Sequence, residues 1–197
     1  MKHVIAAALG TLVIFLTITV QAQVTTHPST IRPLIHADVR ITDEIDLDAH
    51  VIPTFNLMEP LNPYIFIGPN FKSLKGMFEI SPLLGWNFGL DEPVFAVAFT
   101  LNVTDKFWTW ADVEVQAPSW SGYYFVQLEY QFLPYIGVGA ETEGFGAYND
   151  TDSWSHGGGP NLIFNIGDHL GIDLALHVRD LEHQVGLQFV SRVHLTL

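Results

Sequence analysis

The chain has 197 residues, carries 8 Lys and Arg against 21 Asp and Glu for a net charge of -13, and contains no cysteine. This acidity argues against nucleic-acid binding, which needs a basic surface, and the lack of cysteine excludes disulfide scaffolds, Cys-ligated zinc and thiol catalysis. Hydrophobic residues make up 48% of the chain, which excludes an intrinsically disordered protein.

The first 22 residues have the pattern of a secretory signal peptide. Lys2 supplies a positive start, residues 4–20 are almost entirely apolar, and Ala22 ends a small-residue cleavage pattern. We therefore predict cleavage after Ala22 and a single domain over residues 23–197. An uncleaved membrane anchor is the alternative interpretation, because the apolar run is long for a signal peptide.

Nearly all of the remaining sequence alternates between apolar and polar residues with a period of two, which is typical of β-strands. In each segment one phase is free of charge, and the other holds the polar and charged side chains. Many segments approach the ~9–11 residues of a membrane-crossing strand, where a globular strand has ~5–6. In chain order the predicted strands are 35–41, 45–57, 63–71, 77–88, 94–103, 107–117, 123–132, 135–143, 160–166, 170–179 and 185–197.

The fold predicted from these strands is all-β, a closed antiparallel transmembrane β-barrel of about 12 strands. Because bacterial single-chain barrels have an even number of strands, we predict a twelfth strand over Val24–Ile31. Pro28 would confine this strand to an edge or end position. Ten strands are the alternative, if residues 63–71 with Pro69 do not cross the membrane.

The last segment of the chain carries a resemblance. Residues 189–197 alternate to the final position, and Lys72, Lys75 and Lys106 are the only lysines left after the predicted cleavage. In these respects the sequence resembles bacterial outer-membrane β-barrel proteins, whose last strand typically alternates and ends in an aromatic residue. Leu197 departs from that aromatic end, and the resemblance is one of pattern rather than of a family motif.

The resemblance implies an apolar face turned toward lipid, a polar lumen and a porin-like location in the outer membrane of a Gram-negative bacterium. The expected function is a narrow cation-preferring pore or a passive, membrane-stabilising barrel. The alternative is a soluble periplasmic or secreted lipocalin-like barrel, whose apolar face would instead line a ligand cavity.

On the outer-membrane interpretation, the lumen has a large excess of carboxylates over arginines and favours cations. The bilayer and small cations or solutes are then the expected partners. A filled interior in which carboxylates pair with arginines is the alternative, since side chains fill small barrels. The pore-lining candidates are Asp38, Asp46, Asp48, Glu79, Trp108, Trp110, Asp112, Glu114, Glu129, Glu141, Glu143, Asp173, Arg40, Arg179 and Arg192.

The first hairpin can be placed in register if its turn centres on Asp43. We predict no cofactor and no metal ion, and interpret the facing polar residues as a network bridged by Arg192 and water. A metal or proton site from His36, His50, Asp38 and Asp48 is the weaker alternative. The predicted facing pairs are His36 with His50, Asp38 with Asp48, and Arg40 with Asp46, the last as an ion pair.

The longest predicted connection, residues 149–159, is expected on the extracellular side. It contains Ser155 and His156, residue types of a hydrolytic triad, and a lipid-modifying outer-membrane enzyme is the third functional hypothesis. Triads are defined by geometry rather than sequence proximity, and the predicted lipid-facing phase offers no histidine. We therefore assign no catalytic residue.

Overall fold

A computed structural model describes residues 25–27, 29–56, 62–167, 169–181 and 184–197. The predicted signal peptide lies outside these residues. Within them, no helix is long and apolar enough to cross a membrane.

The described residues form twelve strands and one short 3₁₀ helix, Leu74–Gly76. Each of the eleven strands predicted from the alternation has its counterpart among β2 to β12, which confirms the all-β class. The strands are β1 Thr25–Thr26, β2 Thr30–Arg40, β3 Ile45–Asn56, β4 Asn62–Ser73, β5 Phe78–Asn87, β6 Glu92–Thr104, β7 Phe107–Gln116, β8 Ser121–Leu133, β9 Ile136–Ala147, β10 Asp150–Ile166, β11 Leu170–Leu181 and β12 Gln184–Thr196.

Strands β2 to β12 form a closed barrel in which every sequential pair is antiparallel and the closing pair, β12 with β2, is parallel. The two-residue strand β1 also pairs with β12, further along the same edge. In the region predicted as a separate strand, Val24–Ile31, Thr25 and Thr26 form β1, Thr30 and Ile31 begin β2, and Val24 and Pro28 lie outside the described residues. The closed barrel of about twelve strands is confirmed, but its wall is mixed because eleven consecutive hairpin strands leave the first and last pointing the same way.

The barrel has two ends, which we name after the terminus found there. At the C-terminal end lie the connections at residues 41–44, 74–77, 105–106, 134–135 and 167–169. The predicted long loop at 149–159 is wrong: β9 and β10 are joined by Tyr148 and Asn149 alone, and β10 is 17 residues long. The resulting hairpin is irregular, with a register shift between Asp150 and Ser155.

The two faces of the wall differ sharply in chemistry. On the outside, the charge-free phase exposes large apolar side chains, among them Ile67 at 53%, Leu84 at 54% and Phe95 at 52%. Inside, carboxylates and arginines are buried, together with a small apolar cluster around Phe66 and Val94. This arrangement is the reverse of a water-soluble barrel, which keeps its apolar residues inside.

Candidate functional site

The lumen contains a cavity of about 250 Å³, which we call the luminal chamber. It lies toward the C-terminal end, since its lining residues are within a few positions of the connections at that end. Polar, titratable and aromatic side chains line it together. They are Leu34, His36, Asp48, His50, Asn70, Glu79, Ser81, Ala98, Thr100, Trp108, Trp110, Gln127 and His194.

The first hairpin supplies four of these side chains, of which three are titratable. The observed register pairs His36 with His50, Asp38 with Asp48 and Arg40 with Asp46, which confirms the predicted alignment. Because alternate residues of a strand point to one face, His36, Asp48 and His50 enter the lumen together.

The ion pair predicted between Arg40 and Asp46 is wrong. Asp46 is buried and pairs with Lys72 of β4, whereas Arg40 is exposed at the last position of β2. Asp38 is also exposed and lies outside the chamber lining.

The residues His36, Asp48 and His50 form a compact group, which we call the His-Asp-His cluster. One ligand atom from each lies within 4.8 Å of the others. The His36 Nε2 to Asp48 Oδ1 distance is 3.6 Å, and the centroids of the two imidazole rings are 4.7 Å apart. The Ser81 hydroxyl donates a hydrogen bond of 2.9 Å to the other carboxylate oxygen, Asp48 Oδ2.

Several polar atoms facing the luminal chamber are buried without a hydrogen-bond partner among the described residues. They include His36 Nε2, Asp48 Oδ1, His50 Nε2 and His194 Nε2. Asp48 is only 4% exposed. Buried polar groups in folded proteins are nearly always hydrogen-bonded to protein or water, so these unsatisfied atoms make the luminal chamber a candidate binding site.

Deeper in the barrel, charged side chains cross the lumen. Arg192 is the centre: its Nη1 donates to Glu141 Oε1 at 2.6 Å and to Asp173 Oδ2 at 3.2 Å, and its Nη2 donates to Glu143 Oε2 at 3.1 Å. Arg192 also lies over the ring of Phe125, 4.5 Å from its centroid. The predicted bridge from Arg192 to the first hairpin is therefore wrong, because the Arg192 guanidinium is bound to the carboxylates of β9 and β11.

Two further arginines complete this network. Arg32 of β2 donates to Glu143 Oε2 at 2.5 Å, and Arg179 of β11 donates to Glu143 Oε1. Because β2 and β9 are not neighbours in the wall, the Arg32–Glu143 contact spans the lumen. We call Arg32, Glu141, Glu143, Asp173, Arg179 and Arg192 the ionic plug.

The ionic plug forms the floor of the luminal chamber. Gln127 lines the chamber and donates at 3.0 Å to Asp173 of the plug and at 3.2 Å to Glu129. Asn161 donates to both of these carboxylates. Trp110, another lining residue, packs on Phe125 with a centroid distance of 5.1 Å. On this side the chamber is therefore bordered by a hydrogen-bonded layer of side chains.

The remaining sequence candidates have separate places. Glu79 borders the chamber and accepts a hydrogen bond of 2.8 Å from Asn70. Trp108 is also a lining residue. Asp112 and Glu114 are buried on β7, outside both the chamber lining and the plug.

The sequence predictions did not name several luminal residues as site residues, among them Ser81, Gln127 and His194 of the chamber lining and the three described next. Arg32 precedes Pro33 and lay outside the predicted strands, although it shares the parity of His36. His177 is fully buried, with Nε2 2.7 Å from Glu141 Oε1. Asn161 sits in a segment whose alternation is weak. Strand parity was the available signal for Arg32 and His177.

The expectation that no histidine lies on the outer face is also wrong. Since β10 is a strand, Ser155 and His156 point to opposite sides of the wall. The Tyr124 hydroxyl is 2.9 Å from His156 Nδ1, whose ring stacks on Trp154. Ser155 is buried inside and receives a hydrogen bond from Arg179. The two residues therefore do not form a nucleophile and base pair.

Comparison with known proteins leaves the family open. No protein-family model matches the chain, and no curated protein matches its sequence. The chemistry of the outer face, the luminal chamber and the ionic plug therefore has to indicate the function.

Proposed function

We propose that this protein is an outer-membrane β-barrel with a closed lumen, which resides in the bilayer as a passive, stabilising barrel rather than as an open pore. The observation that carries the proposal is the inverted distribution of polarity. Apolar side chains such as Leu128 and Leu176, each 46% exposed, cover the outside, whereas charges are buried inside. A contiguous apolar surface of this extent is a membrane or interaction surface.

The outer surface also has the layout expected at a bilayer. Aromatic residues near strand ends, Trp86 and Phe88 toward one rim and Tyr130 and Phe132 toward the other, are 38–59% exposed. Outer-membrane barrels carry such aromatic girdles at both interfaces. A lipocalin-like barrel is disfavoured because its apolar residues would line the lumen, where this chain places carboxylates and arginines.

The ionic plug supports a closed lumen over a cation-preferring pore. Its three arginines balance its three carboxylates, so the acidic excess read from the sequence is neutralised within the plug. Arg192 alone contacts three carboxylates. Removing such contacts leaves uncompensated buried charge, which is strongly unfavourable, so the plug is expected to stay in place.

Two measurements test the membrane location. The chain, expressed in a Gram-negative host, should sediment with outer membranes and should migrate faster on a detergent gel before boiling than after. Both results follow from a closed barrel whose apolar belt is covered by lipid or detergent. A chain that stays soluble and monomeric in periplasmic extract would contradict the proposal and favour the lipocalin-like alternative.

Planar-bilayer recording tests the closed lumen. The reconstituted protein should show no stepwise conductance, since the plug fills the path beneath the luminal chamber. A small conductance whose cation selectivity falls as the salt concentration rises would instead favour the pore, because the Debye length shortens from ~10 Å at 0.1 M to ~3 Å at 1 M.

A further inference from the structure

We propose that the luminal chamber binds a divalent late transition-metal ion, with Zn²⁺ as the ion to test, through His36, Asp48 and His50. His194 lines the same chamber and offers a fourth nitrogen, Nε2. The inference goes beyond the proposed function and does not depend on it, because it rests on the interior of the barrel and not on what surrounds the outside.

The donor set suits this class of ion. Two imidazole nitrogens and one carboxylate oxygen are common zinc ligands, with metal–ligand distances of about 2.0–2.2 Å. A tetrahedral ion therefore holds its ligands about 3.4 Å apart. The His36 Nε2 to Asp48 Oδ1 distance of 3.6 Å already matches this spacing. Since all three ligand atoms lie within 4.8 Å of one another, side-chain rotations that move these atoms by about an ångström would bring them to the spacing that the ion needs.

The carboxylate is held ready by its neighbour. Ser81 donates to Asp48 Oδ2, and Asp48 Oδ1, the atom nearest His36, has no hydrogen bond among the described residues. A second-shell hydrogen bond of this kind orients a metal-ligating carboxylate. Asp48 is nine-tenths buried or more, at 4% exposed, so its free oxygen faces the cluster and not the solvent.

The nearby charges favour a cation over an anion. Glu79 lines the chamber beside the cluster, and the buried Asp46 on the same strand as Asp48 is engaged with Lys72. The arginines of the lumen are occupied by the carboxylates of the ionic plug. By contrast, His177 in the plug region is already bound to Glu141, which makes it a poor competitor for an added ion.

The ion can also reach this cluster. The His36 side chain is 33% exposed, and the neighbouring Asp38 at the same end of β2 is exposed. Nitrogen ligands favour Zn²⁺, Cu²⁺ or Ni²⁺, whereas Mg²⁺ and Ca²⁺ prefer sites built from oxygen. The chamber should therefore discriminate between the two classes of cation.

Calorimetric titration of the tag-free, metal-stripped barrel in detergent tests the inference. One equivalent of Zn²⁺ should bind, while Mg²⁺ should not. Co²⁺ should give the visible absorption of a tetrahedral complex and should quench the fluorescence of Trp108 and Trp110, which line the chamber. No Zn²⁺ binding to the folded barrel would overturn the inference.

Variants locate the site. Asp48→Asn and His50→Gln each remove one ligand with little change of shape and should weaken Zn²⁺ binding by more than ~100-fold, above the 10–100-fold typical for second-shell losses. His156→Gln is the matched control, because it removes a histidine from the outer face, and it should bind Zn²⁺ like the parent chain. Equal binding by His50→Gln and His156→Gln would overturn the assignment.

Folding and membrane location are checked separately in the same preparations. Heat-modifiable migration shows that each variant still forms the barrel, so a loss of binding cannot be mistaken for unfolding. If Asp48→Asn fails this check, His50→Gln remains as the deciding variant. A barrel that binds Zn²⁺ but fractionates as a soluble protein would refute the proposed function and leave the metal site standing.

Discussion

An arginine at the middle of the outer belt should destabilise the barrel far more than an arginine at its rim. Leu176 lies six residues from the start and five from the end of β11, Leu170–Leu181. A strand that rises ~3.4 Å per residue and tilts ~40° gains about 2.6 Å of height per residue. Leu176 is therefore about 13–16 Å from either end of the strand, close to the midplane of a ~25 Å apolar band.

The perturbation is Leu176→Arg, and Leu90→Arg is its matched control. Leu90 is 53% exposed but lies in the connection after β5, beyond the strand ends. In a bilayer, Leu176→Arg should lower the free energy of unfolding by ~2–4 kcal/mol, and Leu90→Arg should lower it by ~0–1 kcal/mol. On a surface facing water, both changes should fall within about 0.5 kcal/mol of the parent chain.

Urea titration of the barrel in lipid vesicles, followed by tryptophan fluorescence, measures both values against the parent chain. The difference between the two variants is the informative quantity, because it cancels the general effect of replacing leucine by arginine. Equal stabilities for Leu176→Arg and Leu90→Arg would refute the lipid-facing assignment of the outer belt.

Three other changes probe the interior and are measured by the same unfolding titration. Glu143→Gln removes a carboxylate that three plug arginines share, and it should lower the free energy of unfolding by about 3–5 kcal/mol. The control Asp105→Asn, in an exposed turn, should lower it by less than ~0.5 kcal/mol. Similar values for both variants would contradict a closed plug. Gly159→Ala places a Cβ against a backbone carbonyl oxygen of β11 and should lower the free energy of unfolding by about 1–3 kcal/mol. In the control Gly171→Ala the new Cβ has its nearest neighbour at 3.5 Å, so this variant should be as stable as the parent chain. Zn²⁺ at 100 times its Kd should stabilise the parent chain by ~2.7 kcal/mol and leave His50→Gln unchanged; equal stabilisation of both would place the ion elsewhere.

Most of the wall was predictable because strand alternation is a local property of the sequence. The segment at residues 149–159 was the exception, since its Asp, Ser and Gly residues are typical of turns. The structure makes it a strand for a tertiary reason. At Gly157 a Cβ would lie 2.8 Å from the Arg179 guanidinium carbon, and at Gly159 it would meet the Leu176 carbonyl oxygen. Gly159 is therefore required by a backbone neighbour on β11, and Gly157 leaves room for the Arg179 side chain; a single segment reveals neither neighbour.

The candidate site also has a part that the sequence predicts and a part that it does not. The facing of His36 and His50 follows from the turn between β2 and β3, so the register of this hairpin was predictable. The partners of Arg192 were not, because Glu141 and Glu143 lie three strands away around the wall. Alternation predicts which side chains point into the lumen. It does not predict how far along the barrel axis a side chain lies or which strand it points toward, and the contacts of the ionic plug depend on both.

The parallel closure of the barrel joins these two parts of the molecule. β12 aligns with β2 so that Arg192 faces Arg32 and His194 faces Leu34. The same seam therefore sends two arginines into the ionic plug and places His194 in the chamber with His36. An even-stranded barrel would close with an antiparallel pair and could not keep both alignments along one edge. The parallel closure is thus what brings His194 to the His-Asp-His cluster of the first hairpin while it aligns Arg192 with Arg32 in the ionic plug, so any contribution of His194 to Zn²⁺ binding depends on this seam.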